Sequence, residues 1–234
     1  MPDVPDWAEL TETEKQRALD EFYGLYPRYS GLLDEWEFSD DFRFYDAEEE
    51  RYITENQLRA LSERYIKSRV GVVDQLIGLL MAGMFLPRWV GEMRKEIRSS
   101  YYVMYLLGRG GQSSLGTLDA STLSDRLRDQ YIYLNNFANA MAEGGLSEAQ
   151  IAARAGLYFQ SSRQMFERGR AGARGLVLPA YPGESSECGV NCKCRWRIIN
   201  FEDKWSCYWV RSARESCATC LSRSAEWSPY VVYK

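Results

Sequence analysis

Apolar residues recur at intervals of three and four over most of the chain, and the breaks between runs carry helix-start and helix-stop residues. Thr11-x-x-Glu14 has capping-box spacing, and Leu19, Phe22, Tyr23 and Tyr26 follow on one face before Pro27, which predicts a short amphipathic helix. Thr54-x-x-Gln57 opens a second helix with Leu58, Leu61, Tyr65 and Val72. Residues 70–86, the most apolar stretch, read as buried helix, because Asp74, Gln75 and three glycines interrupt a run too short to span a membrane. Beyond Pro87, Trp89, Met93, Ile97, Tyr101, Met104 and Leu107 predict a third helix, closed by a turn at Gly108-Arg109-Gly110-Gly111. Asp119 or Thr117 caps a fourth, with Leu123, Leu127, Leu134, Phe137 and Met141, and Gly144-Gly145 stops it. Ser147-x-x-Gln150 starts one last long helix to about Gly172, with Ile151, Ala155, Tyr158, Ser162 and Met165 on a face. The expectation for residues 51–172 is a bundle of four to five helices.

The pattern changes at residue 173. Residues 173–234 hold all six cysteines, four of the seven tryptophans and short β-prone runs at 195–199, 208–210 and 230–233. The fold class is therefore mainly α: an acidic amino-terminal arm over 1–50, the bundle, and a small cysteine-rich, β-containing module.

Charge sharpens this division. From chain totals of 29 basic and 33 acidic residues, positions 1–50 take 4 and 16, which leaves 25 and 17 for the rest. The arm mixes these acids with aromatics, and Trp36, Phe42, Phe44 and Tyr45 are candidates to lie along a partner protein. The start of the chain is acidic and broken by Pro2 and Pro5, unlike a secretory leader, so the expected compartment is the cytoplasm of the producing cell, with no membrane partner. At the far end of the bundle, Arg163, Arg168 and Arg170 form a basic cluster suited to phosphate or to an acidic protein surface, or else to a solvated helix end.

Histidine is absent, which excludes Ser-His and Cys-His nucleophiles and leaves metal chemistry to cysteine and carboxylate. The thiols occur as Cys188-x3-Cys192-x-Cys194, then Cys207, then Cys217-x2-Cys220. Two tight groups about twenty residues apart, in a segment with little room for a core, have the spacing of a closed structural zinc site. The preferred ligands are Cys192, Cys194, Cys217 and Cys220, with Cys188 able to replace Cys192, while Cys207 reads as a core thiol. Because side chains alternate along a strand, Cys192 and Cys194 can share an ion only if the backbone turns. A thioredoxin-like use of Cys217 and Cys220 lacks the βαβ setting. No carboxylate pair has an environment that would tune it for acid-base work, so no enzyme activity is expected.

Three bundle passages resemble a known family: Tyr105-Leu106-Leu107-Gly108-Arg109-Gly110-Gly111, Tyr131-Ile132-Tyr133-Leu134-Asn135-Asn136-Phe137-Ala138, and Gly145-Leu146-Ser147-Glu148-Ala149-Gln150-Ile151-Ala152-Ala153-Arg154-Ala155-Gly156-Leu157-Tyr158. Together with Gly189-Val190-Asn191-Cys192-Lys193-Cys194, they are similar to the Mu-type minor head (MuF-like) morphogenesis proteins of tailed phages, over roughly residues 85–234. Here the Cys-x-Cys element precedes the Cys-x-x-Cys pair, and Gly189 or Cys188 stands where the family carries histidine. The resemblance implies a virion protein, present in several copies, that binds portal or major capsid subunits during assembly and can contact packaged DNA. A nucleic-acid-binding zinc-ribbon regulator is the alternative from another class.

Overall fold

A computed structural model describes residues 10–34, 44–46, 50–184, 186–212 and 216–234. It is mainly helical with a small carboxyl-terminal sheet, as the periodicity predicts. The helices are α1 (Glu12–Leu25), α2 (Glu55–Met81), α3 (Leu86–Arg109), α4 (Thr117–Ala142), α5 (Glu148–Gln160), α6 (Arg163–Gly172) and α7 (Ala218–Glu226). Strands β1 (Phe44–Asp46) and β2 (Arg51–Ile53) form a short antiparallel hairpin. Strands β3 (Arg195–Asn200), β4 (Lys204–Val210) and β5 (Tyr230–Tyr233) form an antiparallel sheet with β4 in the middle.

The predicted capping boxes at Thr11, Thr54 and Ser147 are formed, each with reciprocal bonds to the side chain three residues on. At α4 the cap is Gly116, whose N–H donates to Asp119 at 2.7 Å. Asp119 also accepts from the Tyr105 hydroxyl and the Arg109 Nε, so one buried carboxylate ties α4 to α3.

Helix α3 is the centre of the bundle. Its residues Trp89, Met93, Ile97 and all of positions 101–107 are buried, packed against α1, α2, α4 and α6. The closest approach is to α6. A Cβ on Gly108 would lie 2.2 Å from the Phe166 carbonyl oxygen, and one on Gly169 would lie 2.4 Å from that of Tyr105. Gly108 is thus an interior packing residue rather than part of the turn. The turn begins at Gly110, which caps α3 in the left-handed conformation at φ 103°.

Two further expectations change. The last long helix is two helices, α5 and α6, because the Ser161 and Ser162 hydroxyls donate back to the carbonyls of Tyr158 and Phe159 at 2.6 Å, competing with the helical ladder where it breaks. Residues 70–86 are not one buried helix: α2 ends at Met81, Gly83 turns at φ 100°, and Leu79, Met81 and Phe85 stand exposed at the hairpin tip. Among the described residues no helix is long and apolar enough to cross a membrane.

A second core begins at Ala171 and takes in Leu176, Leu178, Tyr181, three tryptophans of the sheet and four cysteines. Trp196 pairs with Trp209 across β3 and β4, and Trp227 stacks on Trp196 with centroids 6.3 Å apart. The two cores are joined by buried charge. Glu167 on α6 accepts from Arg59 of α2 and from Arg170, and both guanidiniums also reach the Trp196 carbonyl on β3, Arg170 at 3.2 Å. Burial raises the Glu167 pKa, but Arg59 and Arg170 outweigh it and hold the carboxyl below its ordinary value.

Candidate metal centre

The thiols come from two short backbone devices. Cys188 and Cys192 flank a single 3₁₀ turn, Gly189–Asn191, and Gly189 enters it at φ 51°, where glycine meets no Cβ penalty. Cys217 is the N-cap of α7 and Cys220 sits in its first turn. Glu187 carries the loop to the helix by accepting the Ala218 N–H at 3.2 Å, and Arg223 donates to the Glu184 carbonyl at the same distance.

The Sγ atoms of Cys188, Cys192 and Cys220 lie within 4.8 Å of one another, with Cys192 and Cys220 3.7 Å apart. Tetrahedral bonds of the usual zinc–sulfur length place two sulfurs about 3.8 Å apart, so this separation is that of co-ligands. The remaining two thiols of the predicted set lie beside the group. Cys194 lies close enough to Cys192 and Cys220, and Cys217 to Cys188 and Cys220, to influence their ionisation, although neither falls within the mutual 4.8 Å group. Cys192, Cys194 and Cys220 are buried, Cys188 and Cys217 half-buried, and none is in a disulfide. A recess of about 460 Å³, lined by Arg163, Asn191, Lys193 and Ser212 among others, reaches Cys188 and Cys194.

Proton sharing divides the five. The bond from the Cys194 thiol brings Cys192 down to about 5, and backbone N–H groups of Cys194 and Gly183 act in the same sense. At Cys217 burial raises the pKa, but bonds from the Cys188 thiol and the Cys220 N–H prevail and bring it to about 7. Cys188 is raised chiefly by donating to Cys217, and Cys194 by donating to Cys192; burial pushes Cys220 to about 12. Cys192 and Cys217, lowered from the ordinary thiol value, are the two readiest to give up a proton to a soft cation. The donor set fits a thiolate-seeking metal ion.

Cys207 lies apart, buried in β4, and burial pushes it to about 11. Its reading as a core thiol agrees with that position.

The structure redirects the arginine cluster. Arg170 is buried, bonded to Glu167 and paired with Glu55 at 2.6 Å. Arg168 bonds Glu184 at 2.5 Å and lies over the Tyr181 ring, and Arg163 grips Glu63 through two bonds of 2.6 and 2.7 Å. All three bind the chain's own carboxylates, pairings that a helix-face reading does not anticipate. Three of these four carboxylates, Glu55, Glu63 and Glu184, are distant in sequence, beyond the reach of a helix-face reading. Of the aromatic candidates, Trp36 and Phe42 lie outside the described residues, and Phe44 and Tyr45 are placed by backbone alone, paired with Ile53 and Tyr52 in the β1–β2 hairpin.

Sequence reasoning missed the groups set around the thiols: the backbone of Gly183 beside Cys192 and of Ser212 beside Cys194, and Glu187 at the α7 N-terminus. Backbone donors leave no side-chain signature; only Gly183, left-handed at φ 84°, hinted at a special position. No protein-family model matches the chain, and neither the curated proteins nor the solved structures contain a match.

Proposed function

We propose that the chain is a structural virion protein of a tailed phage, a minor head or head-morphogenesis protein that acts by adhesion to portal or capsid subunits, and that the metal in its cysteine module is one structural zinc ion. The observation that carries this reading is the convergence of two separated elements. Cys192 of Gly189-Val190-Asn191-Cys192-Lys193-Cys194, which resembles the family's carboxyl-terminal motif, meets Cys220 of the Cys217–Cys220 pair in a thiol cluster with Cys188.

Zinc is favoured among soft cations because cysteines from two loops are its usual tetrahedral setting. Its binding supplies folding free energy to a module whose core is small. Adhesion would use exposed apolar surface: the α2–α3 tip, with Phe85 72% exposed beside Leu79 and Met81, is a convex knob of the kind that fills a pocket on a partner. The acidic arm would supply charge complementarity.

The test is fractionation of virions from the host that carries the coding sequence. The protein is expected to cosediment with intact particles in a fixed ratio to the major capsid protein, after salt washes that remove adsorbed host protein. Recovery only from the particle-free lysate would contradict the proposal.

A further inference from the structure

We infer that the four metal ligands are Cys188, Cys192, Cys217 and Cys220, and that Cys194, though beside the cluster, is a positioning thiol next to Cys192 and outside the coordination shell. This assignment rests on the metal-binding reading above and deepens it.

Three thiols meet where a tetrahedral ion takes four, and Cys194 and Cys217 lie beside them. Cys188, Cys192 and Cys220 are mutually within 4.8 Å and form one face of the polyhedron, so Cys194 and Cys217 compete for the fourth corner. Backbone geometry decides between them. In this chain, side chains at the N-cap and third positions of a helix converge three times, in the boxes Thr11 with Glu14, Thr54 with Gln57 and Ser147 with Gln150. Cys217 and Cys220 hold those two positions of α7, which makes them a natural chelate pair. The fixed partial positive charge of the helix N-terminus also favours thiolate at both. Cys188 and Cys192 form the matching pair, placed on either side of the single turn Gly189–Asn191.

Cys194 has no such device. Cys192 leaves the turn with extended backbone, φ −63° and ψ 119°, and Cys194 follows two residues later, directly before β3. Neighbours on extended chain diverge, so a shell holding both would distort the start of the strand. Cys194 instead sits beside Cys192 at the point where the loop enters β3, next to the sheet and outside the two chelate pairs. A neighbour of this sort orients a thiolate and tunes it without binding the ion. The two-plus-two arrangement also staples the 183–192 loop to α7, whereas Cys188, Cys192 and Cys194 with Cys220 would leave half-buried Cys217 unused.

Cobalt(II) serves as the probe, titrated into the reduced, metal-stripped full-length chain and followed by its tetrahedral d–d bands and thiolate charge-transfer absorption. Wild type and Cys194→Ser are both expected to bind one equivalent with the same charge-transfer intensity, Cys194→Ser about 10- to 100-fold more weakly. Cys217→Ser is expected to lose about a quarter of that intensity, one thiolate in four. Undiminished intensity in Cys217→Ser together with a loss in Cys194→Ser would overturn the assignment and make Cys194 the fourth ligand. Absence of any tetrahedral cobalt spectrum in wild type would instead remove the metal-binding reading itself. Since either variant can unfold the module, wild-type protein is also alkylated with iodoacetamide before and after metal loading. Cys217, half-buried and reachable, is expected to be protected by the ion; equal labelling in both states would contradict its role as ligand.

Discussion

The bundle and the cysteine module bury their residues by different means. The bundle's core is continuous, with Trp89, Tyr101, Phe137, Phe159 and Phe166 fully or almost fully enclosed around α3, and its burial is chiefly hydrophobic. In the module four of the twelve core residues are cysteines, and Cys192, Cys194 and Cys220 occupy places that leucine or valine would take in a larger domain. One region buries a large apolar core; the other, on the proposed metal site, would depend on a cross-link. The Arg59–Glu167–Arg170 group joins them, so the module is docked on the bundle through buried charge.

The sharpest way to break the comparison is to withdraw the cross-link. Stripping metal with a chelator under reducing conditions is expected to abolish hydrogen-exchange protection in β3, β4 and α7 while α3 and α4 keep theirs, because metal-binding free energy on the order of 10 kcal/mol is lost from the module alone. Equal loss in both regions would show that they unfold as one unit.

Next in size is the joint. Glu167→Gln removes the buried counter-charge of half-buried Arg59 and buried Arg170, leaving them only the exposed Glu55, and is expected to lower stability by about 3 kcal/mol in urea unfolding. The pH dependence has a defined sign. Since the folded carboxyl titrates below its ordinary value, its contribution is complete above the usual glutamate range and is lost as pH falls through the folded value. Wild type should therefore lose more stability on acidification than Glu167→Gln, and parallel pH profiles would contradict the role given to this carboxylate.

The bundle has its own weak point, and it is independent of metal. Gly169→Ala forces a methyl against the α3 backbone and is expected to cost about 1–3 kcal/mol, read as a lower Tm of the chelated and the loaded protein alike. A smaller effect, about 1 kcal/mol, is expected from Thr54→Ala at the α2 capping box, measurable as a shifted urea midpoint at unchanged slope.

How far the sequence was legible follows the same division. Helices α1 to α4 declared themselves through capping boxes, glycine stops and an apolar face, all local signals. What escaped was set by contacts between distant segments. Gly108 looked like the start of a turn because its reason for being glycine, the Phe166 carbonyl, lies 58 positions away. Arg163 and Arg170 looked like a basic surface because Glu63 and Glu55 belong to another helix. The α5–α6 break lay within a continuous helical pattern, marked only by two adjacent serines. The thiol cluster was foreseen from spacing, since cysteine pairs separated by a few residues have few uses in a small module. Its internal arrangement was not, because Cys194 and Cys217 differ in backbone geometry and not in residue type.

The most direct test of the central claim, that a structural metal ion holds the cysteine module, is elemental analysis of the protein purified under reducing conditions, paired with native thiol titration. The account predicts one zinc ion per chain, four thiols that react only after chelation, and no iron. A metal-free protein with well-protected β3, β4 and α7 amides would contradict it, because the module would then be shown to fold without the cross-link.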